Sequence, residues 1–162
     1  MYSRYIFGEI ERISIMNDTR ALLEFIYKNA EMGRKTVHPL IDLSDNDEFK
    51  NVLSRMVGDY SEICAKSDLL LRENGMDEAS GLNMMEKIMT EFSLRMNTIK
   101  DHSVRHIADM LVKGASMGMS DISKKLEEHP DADQSAKDLA KRLLKLNSDT
   151  IDEMKKFLTV AQ

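Results

Sequence analysis

Apolar residues recur along most of this chain at gaps of three and four, the spacing that gathers them on one face of an α-helix. Over about 18–43 the stripe is Leu23, Ile26, Ala30, Gly33, Val37 and Ile41, with Asn17 or Asp18 placed to cap its start. Ahead of it, Ile6, Ile10 and Ile13 mark a shorter helical stripe within residues 3–16. Pro39 lacks a backbone donor and is expected to bend or end the last turn. A second helix is predicted over about 47–73, capped by Asp45 or Asp47 and stopped by Asn74 and Gly75. Its inner face takes Phe49, Val52 or Leu53, Met56, Tyr60, Ile63 or Cys64, Ser67, and Leu70 or Leu71. A third, over about 101–128, carries Ala108, Leu111, Ala115, Gly118, Ile122 and Leu126. After a turn at 129–133, a fourth over about 132–158 carries Leu139, Leu143, Leu146, Ile151, Met154 and Leu158.

The first and third patterns match each other 85 positions apart. Tyr27-Lys-Asn-Ala-Glu-Met-Gly33 returns as Val112-Lys-Gly-Ala-Ser-Met-Gly118, and the pairs Leu22/Ile107, Ile26/Leu111, Val37/Ile122 and Ile41/Leu126 stay apolar. Between the two hairpins, Leu82, Met85, Met89, Phe92 and Met96 step by three and four, which fits a short crossing helix. The pattern therefore predicts one all-α domain over 1–162: a ferritin-like four-helix bundle of two repeated αα-hairpins, about 18–73 and 101–158, joined by the long connection 74–100. Mid-helix glycine costs about 1 kcal/mol against alanine, so Gly33 and Gly118 at matched positions need a reason. Close approach of the first and third helices is the expected one, and a backbone opened for a cofactor or small ligand is its rival.

Composition narrows the function classes. With 42% hydrophobic and 31% charged residues, a chain of 162 can bury a core as one soluble domain. A net charge of −5 argues against nucleic acid, whose phosphates call for a positive field. Cys64 is the lone cysteine, so no internal disulfide forms and a reducing compartment is expected. The first residues lack a basic segment followed by an apolar core, and no apolar run approaches the roughly 18 residues of a membrane span. Together these give a cytoplasmic expectation without a membrane span.

A ferritin-like topology raises the question of a two-metal carboxylate centre between the helices. That centre needs Glu-x-x-His pairs facing inward. The residues three before His38, His102, His106 and His129 are Lys35, Ile99, Ser103 and Leu126, so the standard set is absent. A non-standard site for iron or another divalent metal has Glu24, Glu31, Glu62, Asp109 and His106 as its candidates, Asp109 matching Glu24 across the repeat. The alternative for these acids is a solvated or ion-paired helix edge. His102 and His106 lie one turn apart, a spacing that lets imidazoles share a metal, but no glutamate follows the first as a zinc protease needs. Cys64 falls on an inner face and reads as a small hydrophobe more readily than as a nucleophile. Thirteen methionines, among them Met84, Met110, Met117 and Met119, suit irregular cores and adaptable interfaces; soft-metal ligation is the other reading. Met85, Met89, Phe92 and Met96 form the candidate interaction face.

Asn29-Ala-Glu-Met-Gly33, Met96-Asn-Thr, His106-Ile-Ala-Asp-Met-Leu111 and Gly114-Ala-Ser-Met-Gly118 carry a resemblance. Over about 18–158 the chain resembles an uncharacterised family of ferritin-like helical bundles from anaerobic Gram-positive bacteria. That likeness implies the bundle topology and no particular activity. Metal-bearing ferritins and rubrerythrins are similar in topology only, since their Glu-x-x-His ligands are missing here. The expectation is a non-catalytic bundle without a cofactor, acting through a protein partner or as a homo-oligomer. The alternative is a metal-binding bundle.

Overall fold

The computed structural model describes residues 2–75, 90 and 100–159. The expected crossing helix, and with it the Met85, Met89, Phe92 and Met96 face, lies outside the described residues. Among the described residues the protein is all-helical: α1 (Tyr2–Leu43), α2 (Asp47–Glu73), α3 (Val104–Glu128) and α4 (Gln134–Leu158). No helix among them is long and apolar enough to cross a membrane.

α1 is one continuous helix, without the break expected at Asn17 or Asp18. Those polar side chains serve the α3–α4 turn instead of a cap. Asp18 accepts from the backbone N–H of Asp131 at 3.2 Å and lies 3.1 Å from His129 Nδ1, while Thr19 Oγ1 accepts from Asp133 N at 2.8 Å. The helix also runs through Pro39 and stops at Leu43, just ahead of the next turn. There Asn46, rather than either neighbouring aspartate, caps α2 by accepting from Phe49 N at 2.9 Å, and Asp47 and Glu48 complement the positive helix end. Gly75, with φ of +66°, ends α2 as expected. α3 starts at Val104, three residues later than its pattern suggested. Ser103 caps it at 3.2 Å and has its own N–H tied to Asp101 Oδ1.

Directions follow from contacts across the bundle. Phe49 meets Phe157 edge-on at 4.8 Å, Arg55 pairs with Glu153, Tyr60 with Asn147, and Glu62 with Arg142. Rising numbers on α2 thus meet falling numbers on α4, so the two are antiparallel. The α3–α4 turn sits against residues 14–19 of α1, which makes α1 and α4 parallel, and α2 and α3 parallel. α2 therefore finishes at one end of the bundle and α3 starts at the other. The core centres on Leu22, Leu23, Ile26, Phe49, Leu53 and Ile63 from the first hairpin and Ile107, Ile122, Leu143 and Met154 from the second.

α4 turns a different face inward from the one its leucines suggested. Leu139, Leu143 and Met154 are buried as expected, but Asn147, Thr150 and Phe157 complete the row, leaving Leu146, Ile151 and Leu158 half-buried.

Candidate functional site

Two polar residues on the inner row of α4 mark the candidate site. Tyr60, buried on α2, donates its phenolic hydrogen to Asn147 Oδ1 at 3.0 Å. Burial alone pushes the Tyr60 phenol up to about 12, so it stays a neutral donor. The matched glycines make room for this pair. A Cβ on Gly33 would lie 2.6 Å from the Tyr60 ring, and one on Gly118 would lie 3.2 Å from Asn147 Nδ2. The glycines therefore do not bring α1 and α3 together, as the repeat suggested. Each receives a side chain from the second helix of its own hairpin, and α1 and α3 touch only sparsely.

This packing gives a test. Gly33→Ala gains helix propensity worth about 1 kcal/mol but drives its methyl into a buried, hydrogen-bonded ring. Overpacking of that kind costs about 1–3 kcal/mol, so a net loss of about 1 kcal/mol is expected in urea unfolding. Gly58→Ala, on the exposed side of α2 with open space around its Cβ, should instead gain up to about 1 kcal/mol.

Where α1 and α3 diverge they leave a half-open cavity of about 360 Å³, floored by α2 and α4. Met32, Met56, Met110 and Met117 supply apolar walls, and Gly114 opens one side. Tyr60, Asn147 and Thr150 form its buried polar part, with Asn29, Thr36 and Asp121 nearer its mouth. Asn147 Nδ2 and Thr150 Oγ1 are buried and have no hydrogen-bond partner among the described residues.

The proposed metal ligands are placed apart from this cavity and each acid is engaged. Glu24 pairs with Arg20 at 2.9 Å and Asp109 with Lys113 at 2.6 Å, while Glu62 pairs with Arg142 at 2.7 Å. Glu31 takes Arg34 in a two-pronged contact at 2.7 and 2.8 Å and Lys35 at 3.3 Å. The Arg34 hydrogen bonds hold its carboxyl below the usual range against the opposing effect of burial. His106 is half-buried in the first turn of α3, its N–H on the Ser103 cap. Among the described residues no three His, Cys, Asp or Glu side chains form a group that could hold a metal ion.

Cys64 lies 3.7 Å from Glu31 Oε2, toward which its thiol can donate. Burial first, then the Glu31 charge, pushes the thiol up to about 12. Thiolate is the reactive form, so native Cys64 should react with a disulfide reagent at pH 8 at least about a hundredfold slower than in denaturant. A rate equal to that of the unfolded chain would place the sulfur in solvent.

A second feature stands at the other end of α1. Tyr2, Tyr5, Ile6, Phe7, Ile10, Ile13 and Met16 are between 50% and 89% exposed. The sequence stripe found Ile6, Ile10 and Ile13, but nothing in their spacing told that this face is left uncovered.

No family model matches the chain, and no curated protein and no solved structure matches it.

Proposed function

We propose that this chain is a non-catalytic, cytoplasmic helical-bundle protein that acts by self-association, a second copy seating on the N-terminal face of α1. The observation carrying this reading is the exposed apolar row Tyr2, Ile6, Ile10 and Ile13, flanked by Tyr5 and Phe7. These residues and Gly8 are poor autonomous helix formers, and isolated helices shorter than about 15 residues are marginal in water. A helix of this composition gains its stability from a covering partner.

The apolar row complements itself when a second copy lies antiparallel to it. Setting Ile6 of one chain against Ile10 of the other brings Tyr2 near Ile13, so the apolar residues interlock and the charged residues Arg4 and Glu11 stay on the outer side of the helix. The area buried is on the order of 500 Å² per copy, toward the small end of specific interfaces. Sedimentation velocity from about 1 µM to a few hundred µM should show mass rising from monomer to dimer. A monomer throughout that range removes the reading.

The bundle itself we read as ferritin-like, in line with the resemblance to the family from anaerobic Gram-positive bacteria. The parallel α1/α4 and α2/α3 order and the matched glycine positions support that reading and a duplicated hairpin as its origin.

A further inference from the structure

We propose that the cavity between α1 and α3 binds a neutral, largely apolar small molecule bearing a carbonyl oxygen, held by a hydrogen bond donated from Asn147 Nδ2. The inference begins with the amide. Asn147 is 3% exposed and its Oδ1 is taken by Tyr60, which orients Nδ2 with hydrogens to give and no acceptor among the described residues. Thr150, 4% exposed and one helical turn on, presents a second unpartnered polar atom on the same cavity. Buried donors are almost always satisfied in folded proteins. Two together on one cavity point to an acceptor supplied from outside.

The surroundings define the rest of the ligand. A cavity of about 360 Å³ lies within the range of small-molecule sites, roughly 300–1,000 Å³. Methionine walls adapt to irregular apolar shapes. Among the described residues no lysine, arginine or histidine lines the cavity, and the one acidic residue that does, Asp121, is exposed at the edge. A carboxylate or phosphate ligand would enter without a counter-charge, so a neutral carbonyl is the fitting acceptor. The small residues opposite, Gly33 and Gly118, keep Tyr60 and Asn147 seated in place.

The test uses 6-propionyl-2-dimethylaminonaphthalene, a neutral naphthyl ketone whose emission shifts to the blue in apolar surroundings, with protein near 1 µM to hold the dimer apart. Wild-type protein should bind it saturably at one site, and 2-naphthoate should not displace it. 6-Propyl-2-dimethylaminonaphthalene, which carries a hydrocarbon chain of the same length in place of the ketone, should compete at least about tenfold more weakly, the discrimination of one buried hydrogen bond. Gly114→Leu has open space at its Cβ and fills the cavity without a collision. It should weaken ketone binding at least about tenfold while the thermal midpoint stays at or above the wild-type value. In the pair Tyr60→Phe with Asn147→Leu, ketone and hydrocarbon should bind alike. Absence of saturable binding, as when another part of the chain closes the groove, overturns the proposal. So does unchanged affinity in Gly114→Leu, or equal affinity of wild-type protein for ketone and hydrocarbon. Because these readouts are taken on monomer, they fail or succeed independently of self-association.

Discussion

Replacing Ile6, Ile10 and Ile13 of α1 by glutamate is expected to weaken self-association at least about a thousandfold, leaving a monomer at every practical concentration. Each isoleucine that enters an interface contributes on the order of 1 kcal/mol or more. Because the dimer loses all three from both copies, the sum exceeds the roughly 4 kcal/mol that a thousandfold represents, before the cost of desolvating charges is counted. The bundle should not feel the change. All three side chains are more than half exposed and stand outside the buried cluster. Surface substitutions of this kind stay within about 0.5 kcal/mol, so the thermal midpoint at low concentration should move by no more than about 2 °C. Loss of the bundle's own stability would show that this segment packs within its own chain.

Phe49→Ala is expected to cost about 4 kcal/mol and lower the thermal midpoint by roughly 10 °C. Phe49 is completely enclosed in the first turn of α2 and meets Phe157 edge-on, joining the two hairpins at the end where α4 finishes. Truncation leaves an aromatic-sized void between helices whose ends are fixed by the Asn46 cap and the Arg55–Glu153 pair. Those anchors resist the collapse that would refill it. Phe157→Ala should behave similarly but with a smaller loss, because that ring is 7% exposed. A loss below about 1 kcal/mol for Phe49→Ala would mean that the hairpins do not close on this contact.

Much of the helical layout was legible because local chemistry decided it. The α2 bounds came from a stop at Gly75, where only a left-handed residue suffices, and from polar residues clustered before Phe49. The α1 start was misread because Asn17 and Asp18 resemble a cap in sequence. Their use by a turn more than a hundred residues away is a tertiary fact. The inner face of α4 shows a related confusion. From Leu143 the next inward step could be Leu146 or Asn147, and hydrophobicity favours the leucine. Packing chose the asparagine because Tyr60 supplies its hydrogen bond and Gly118 its space. The matched glycines were visible as an anomaly, and a ligand space was among their possible meanings. That they admit Tyr60 and Asn147 required knowing which helix lies opposite. For the candidate acids the sequence leaves metal binding and ion pairing open, and Arg20, Arg34, Arg142 and Lys113 pair with them.

Amide hydrogen exchange over residues 2–16, followed at about 1 µM and at a few hundred µM, tests self-association most directly because it reads the face and the identity of its cover together. A second copy predicts slow exchange at high concentration that becomes fast on dilution, while α2 and α4 stay protected throughout. Fast exchange at both concentrations, or equally slow exchange at both, contradicts it.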